Sequence, residues 1–103
     1  MVYFLYHKDD SIPELPDFEF DEDKSRMNLE KHGIDFVQAL ALWLDRDRVE
    51  GPARSEGEDR FTVVGLIDGM HWTAFVTYRG DRVRLISVRR SRPSEVARYD
   101  HHH

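Results

Sequence analysis

Three runs of β-forming residues constrain this chain more than anything else in it. Arg60–Ile67, His71–Tyr78 and Val83–Val88 are rich in Val, Phe, Thr, Ile and Tyr, and they follow one another with almost no linker. Asp68-Gly69 separates the first two. That dipeptide suits a type I′ hairpin, where both central residues need positive φ. Arg79-Gly-Asp81 makes the second turn. The three runs therefore read as an antiparallel meander. In the third, Arg82, Arg84 and Ser87 alternate only imperfectly with Val83, Leu85 and Val88.

The chain ahead of the meander reads differently. Residues 2–6 are aromatic and apolar and suit a strand, and Lys8–Asp17 is a loop by its prolines and charges. Phe18-Glu-Phe20 alternates like a short strand. Asp21 is a good N-cap for a helix over Glu22–His32, which Gly33 ends in the left-handed conformation. Met27 and Leu29 are its few apolar positions, so this helix is expected to be mostly solvated. Asp35 with Gln38 forms a capping-box pattern for a second helix. Phe36, Val37, Leu40, Ala41, Trp43 and Leu44 make its apolar stripe, with Trp43 in the core. Residues 45–59 read as a polar loop. After the meander, a last helix opens at Ser91 or Ser94, with Pro93 in its first turn. At 103 residues this is one α+β domain: two N-terminal helices, an antiparallel β-meander and a short C-terminal helix, with the helices on one face of the sheet.

Composition narrows the function. There is no Cys, which excludes disulfides and thiolate metal sites and fits a reducing cytoplasm. No run is long enough to span a membrane, and the apolar start at residues 1–6 is too short for a signal peptide. His101-His102-His103 reads as the remnant of an affinity tag. The net charge of -5 hides a concentrated cationic ending. Arg79, Arg82, Arg84, Arg89, Arg90, Arg92 and Arg98 stand there against only Asp81 and Glu95. A guanidinium presents a planar fork that fits phosphate oxygens bidentately, so this cluster points to an anionic ligand, most simply a nucleic-acid backbone. A duplex DNA binder acting alone is disfavoured, because no recognition helix is visible and the chain is acidic overall. No Gly-rich phosphate loop, Ser/His/Asp pattern or metal cluster is present, so no cofactor is expected.

Several segments coincide with a known pattern: Phe18-Glu-Phe-Asp-Glu-Asp-Lys24, Asn28-Leu-Glu-Lys-His-Gly-Ile-Asp-Phe36, Gly57-Glu-Asp-Arg-Phe61, Leu85-Ile-Ser-Val-Arg-Arg90 and Glu95-Val-Ala-Arg-Tyr99. In this order and spacing the chain resembles the BrnT family of bacterial type II toxins over residues 18–99. The resemblance implies a RelE-like fold and a ribonuclease that blocks translation in the bacterial cytoplasm. It also implies neutralisation by a BrnA-type antitoxin, itself a ribbon-helix-helix DNA-binding repressor, commonly in a heterotetramer with two toxin copies. The toxin domain would then be residues 18–100. Residues 1–17 would be an N-terminal extension, with an edge strand and an acidic loop.

Metal-independent RNA cleavage needs a base for the 2′-hydroxyl proton, cations for the phosphorane, and an acid for the 5′-oxygen. The nucleophile is the RNA's own 2′-oxygen, which also excludes DNA as substrate. The cationic work falls to Arg60, Arg89 and Arg90. Lys31, His32, Glu58, Glu95 and Tyr99 are the candidates for proton transfer. Each has a structural competitor. His32 suits a helix C-terminus, where a cation meets the dipole, and its near-neutral ordinary pKa suits proton transfer. Lys31 is either a solvated helix lysine or a phosphate contact. Arg60 has Glu58 and Asp59 as potential ion-pair partners. Arg89 and Arg90 should point to opposite faces of a regular strand, so only one enters a given site. Glu95 suits holding an arginine, and Tyr99 suits packing. His7 and His71 suit surface or packing roles. The alternative function is a non-catalytic protein-binding module whose arginine cluster receives an acidic antitoxin or partner segment. The acids of residues 9–17 are a further candidate, for electrostatic shielding of the cluster.

Overall fold

Turn chemistry builds the centre of the fold as the sequence predicts. In the computed structural model, which describes residues 3–6, 15–54 and 56–102, Asp68 and Gly69 take φ of 52° and 77°, the two positive values of a type I′ turn. They join β4 (Arg60–Ile67) to β5 (Met70–Arg79), and Gly80 turns the chain into β6 (Arg82–Arg90). The earlier elements are β1 (Tyr3–Tyr6), β2 (Asp17–Asp21), α1 (Glu22–His32), α2 (Phe36–Ala39) and β3 (Val49–Ala53). A 3-10 turn, Leu40–Leu44, continues α2, and α3 (Pro93–His101) closes the described chain. The acidic residues 9–14, His7 and His103 lie outside the described residues. No helix among the described residues is long and apolar enough to cross a membrane.

Among the described residues the sheet has six strands, in the order β1-β2-β6-β5-β4-β3. It is mixed and not purely antiparallel, because β2 runs parallel to β6 through Asp17↔Arg82, Phe18↔Val83 and Glu19↔Arg84. Residues 45–59 are not all loop. Val49–Ala53 pairs along β4 as an edge strand, the sheet position in which Pro52 is tolerated.

The helices do not share one face. Cross-strand partners point to the same side of a sheet. One side carries Phe18, Val63, Ala74, Val76, Val83, Leu85 and Val88, packed with Phe20, Ile34, Phe36, Ala39, Leu42 and Trp43 into the main core. Trp43 meets Phe18 edge-on at 4.9 Å and Phe36 meets Phe20 at 5.5 Å. On the opposite side, Tyr99 of α3 packs with Val49, Val64 and Leu66. The predicted stripe in 36–44 is rephased. The capping box of Asp35 and Gln38 forms; within α2 Phe36 and Ala39 face inward and Val37 is 51% exposed, and the tighter 3-10 winding that follows turns Leu42 and Trp43 inward and leaves Leu44 60% exposed. Arg92, rather than either serine, holds the N-cap position of the last helix, where its backbone N–H donates to Glu95, with Pro93 at the first position.

A bulge explains the imperfect alternation in β6. Phe75 pairs with Ser87 and Val76 with Leu85, so Ile86 is an extra residue. Beyond it the strand is rephased by one position. Arg84, Ser87 and Arg89 therefore all share the face of Thr77, Phe75 and Thr73, while Arg90 shares that of Trp72.

Candidate functional site

α1 runs beside β6 where β2 no longer covers it, and one side chain holds it there. Asp21 caps the helix through the Asp23 and Lys24 backbone N–H groups, and Gly33 ends it at φ 79°. Asn28 is 6% exposed. Its amide donates to the Ile34 and Val88 carbonyls at 2.7 and 2.9 Å, and its oxygen accepts the Val88 N–H at 3.1 Å. Asn28 thus pairs with Val88 as a neighbouring strand would. Buried Ser25 adds a bond from the Phe36 N–H at 2.9 Å.

A groove follows from this arrangement, between α1 and the face of the sheet that α3 leaves uncovered. At one end, Arg60, Arg84, Lys24, Glu58, Asp21, Leu85 and Ile86 line a small recess. Adjoining it is a cavity of 180 Å³ lined by Lys24, Met27, Asn28, Lys31, His32, Ile86 and Ser87. Lys24 and Ile86 belong to both.

The cations of this groove are engaged to different degrees. Arg84 bonds Glu19 at 3.1 Å. Half-buried Arg60 has an Nε that is buried and has no hydrogen-bond partner among the described residues. Glu58, one of its expected partners, faces Arg79 at 3.5 Å, and the Asp59 carbonyl accepts from Thr77 at 2.8 Å. Leaving a buried guanidinium donor unmatched is costly unless an anion arrives to accept it.

Arg89 is the opposite case. Its two terminal nitrogens bond both Glu95 oxygens at 2.7 and 2.9 Å, and its guanidinium lies 5.0 Å from the Phe75 ring centre. Glu95 also accepts from the Arg92 N–H at 2.7 Å and from Thr73 Oγ1 at 3.1 Å. Burial opposes ionisation of Glu95, but these bonds and the Arg89 charge outweigh it and hold its carboxyl below the ordinary range. Four donors leave this carboxylate committed.

Arg90 and Tyr99 lie away from the groove. Arg90 is exposed on the opposite face of the sheet, 5.4 Å from the Trp72 ring centre. Tyr99 is 6% exposed and donates to Asp45 Oδ2 at 2.7 Å. The same oxygen accepts the Leu66 N–H at 2.8 Å, beyond the last β4 residue paired with β3. Burial first, then Asp45, pushes the Tyr99 phenol up to about 12. His71 packs edge-on against Tyr99 at 5.2 Å and faces Asp100 at 3.5 Å.

The structure therefore brings Lys31, His32 and Arg60 to one groove, with Arg89 on the same face of the sheet. Sequence reasoning passed over Lys24 and Arg84 as members of the site. The signal for Lys24 was present: Lys24, Asn28 and Lys31 fall at i, i+4 and i+7, one polar stripe of a helix.

The model of a family described as "Ribonuclease toxin, BrnT, of type II toxin-antitoxin system" matches residues 20–95. No curated protein matches the chain.

Proposed function

The chain belongs to the BrnT family of type II toxin–antitoxin ribonuclease toxins, and from that premise we propose that the α1–β6 groove cleaves RNA without a metal ion and thereby halts translation. The observation that carries this reading is Arg60. Its buried, unmatched Nε stands in a cavity shared with Lys24 and Arg84. Three cations against two carboxylates, Asp21 and Glu58, leave that small space net positive, which suits a phosphate. Arg60 and Lys24 bind the non-bridging oxygens of the scissile group. Arg89, fixed by Glu95, adds positive charge on the same face. Arg90 and Tyr99 support the fold.

His32 and Lys31 line the adjoining cavity and are the groups for proton transfer. In the reaction, the 2′-oxygen attacks phosphorus while one of them takes the 2′-hydroxyl proton. The bond from phosphorus to the 5′-oxygen breaks, and a proton is delivered to that oxygen. A 2′,3′-cyclic phosphate and a free 5′-hydroxyl remain. Fixed cations are most useful where charge develops on the phosphorane oxygens. The partner is a BrnA-like antitoxin, in an assembly with two toxin copies in the cytoplasm.

The test is cleavage of a defined RNA by the purified chain in EDTA, with the ends of the fragments identified. Cyclic phosphate ends are expected, together with loss of cutting in Arg60→Gln and His32→Gln and on RNA carrying a 2′-deoxy nucleotide at the cut. Cutting of the deoxy substrate, or loss of all activity in EDTA, refutes the mechanism.

A further inference from the structure

The groove is lined by charged and polar groups except at a few points, and two of these face the same small space. Met27 is 63% exposed on α1, and Ile86 is half-buried at the bulge of β6. Both line the 180 Å³ cavity with Lys31, His32 and Ser87. Packing does not require Met27 there, since the buried residues of α1 are Ser25 and Asn28. The backbone beside it is open as well. Arg84 is the last β6 residue paired with β2, and Val88 is the residue whose edge groups Asn28 takes. Residues 85–87 therefore have no strand neighbour on that side among the described residues, and because Ser87, next to Val88, turns its own backbone groups to Phe75 of β5, the open position is Ile86. An open strand edge offers unmatched donors and acceptors.

Apolar walls beside a hydrogen-bonding edge are what an unstacked nucleobase requires, since its ring faces need apolar cover and its rim needs donors and acceptors. The cavity adjoins the one that holds Arg60, with Lys24 and Ile86 common to both. A nucleotide with its phosphate at Arg60 therefore has its base at Met27 and Ile86. Asn28 does not read this base, because its amide and its oxygen are already bonded to backbone.

We infer that Met27 and Ile86 form a nucleobase subsite next to the scissile phosphate, with Ser87 Oγ and the open backbone at Ile86 contacting the base rim. This rests on the ribonuclease reading above. It makes base preference a property of the bulge and one exposed methionine, not of the arginines.

The experiment compares a short single-stranded RNA cut by the full chain with twins that are abasic at each position flanking the cut. A parallel arm measures binding of uncleavable 2′-O-methyl versions. The wild type is expected to favour the base-containing RNA by about tenfold at one flanking position, within the usual range for stacking a single base. Met27→Ala with Ile86→Ala should shrink that preference to about twofold and leave the abasic rate unchanged, as expected of a direct pairwise contact. Met27→Ala alone places the best helix former at an exposed site and guards against misfolding of the double variant. Equal rates and affinities for base-containing and abasic RNA in the wild type overturn the inference. So do variants that slow both substrates alike. If the wild type cuts nothing, the ribonuclease reading fails, and the binding arm still decides the subsite.

Discussion

Replacing Asn28 with alanine should be the most damaging single change near the groove that touches no proposed catalytic group. The side chain is 6% exposed and makes three hydrogen bonds to backbone. Its loss orphans the Val88 N–H, at about 1–3 kcal/mol for a buried donor, and removes one bond from each of two carbonyls, at about 0.5–1.5 kcal/mol each. The sum is roughly 2–6 kcal/mol, a large share of the ~5–15 kcal/mol that stabilises an ordinary domain. At about 4–8 °C per kcal/mol, the melting temperature should fall by ~8 °C or more. Urea denaturation read by tryptophan fluorescence measures it directly. Asn28→Asp adds a check on the cause. An ionised carboxylate would face the Ile34 and Val88 carbonyls, so its folded pKa is raised. Its neutral form is the tolerated one, and the variant should regain stability relative to wild type as pH falls. A loss under about 1 kcal/mol in Asn28→Ala, or a pH-independent deficit in Asn28→Asp, would refute the strand-mimic role.

Three further outcomes follow from the geometry. Glu95→Gln should destabilise at neutral pH by about 1–3 kcal/mol, as a charge-assisted bond is lost. Because the Glu95 carboxyl is held below the ordinary range, its contribution is full at neutral pH and disappears as pH falls through its folded pKa. The gap should therefore close in acid, and a constant gap down to pH ~3 contradicts it. Tyr99→Phe should cost about 1 kcal/mol at pH 7, since Asp45 keeps its bond from the Leu66 N–H. With the phenol pushed up to about 12, the neutral form's contribution is present below the ordinary value of ~10 and lost as pH rises above it. The variant should lose less stability across that alkaline range, and an unchanged alkaline limb in thermal melts argues against the Asp45 bond. Arg90→Ala should leave the salt dependence of RNA binding unchanged, whereas Arg60→Gln should reduce the slope of log affinity against log salt by roughly one contact. Equal effects would contradict the placement of Arg90 outside the groove.

What the sequence revealed was mostly local chemistry. Asp21, Gly33, the Asp35–Gln38 box and Asp68-Gly69 act within a few residues, and each is found where its chemistry puts it. Val49-Glu-Gly-Pro-Ala53 was illegible, because Gly and Pro read as loop and only pairing with distant β4 makes the segment a strand. The parallel β2–β6 pairing and the placement of α3 across the sheet from the other helices are equally non-local. The stripe at 36–44 misled because helical periodicity assumes 3.6 residues per turn, and the chain tightens after Ala39. In the candidate site, the arginine cluster pointed to β6, beside which the groove lies. The Glu58 contact with Arg79 and the approach of Arg60 from β4 depend on the folded loop and on pairing between distant strands.

The extra residue in β6 fixes the phase of the Arg89-Arg90 doublet. Ile86 is the residue that β5 does not match, so its deletion would leave Leu85 opposite Val76 and Ser87 opposite Phe75 in an unbroken ladder, with Arg89 still opposite Thr73. Closing the ladder with Ile86 kept would instead move every later residue one place along β5. Val88 would then stand opposite Thr73, outside the core, and Arg89 opposite Trp72, across the sheet from Glu95. One unmatched residue thus holds Val88 in the core and Arg89 on Glu95 together, and pairing it would cost packing and charge at once.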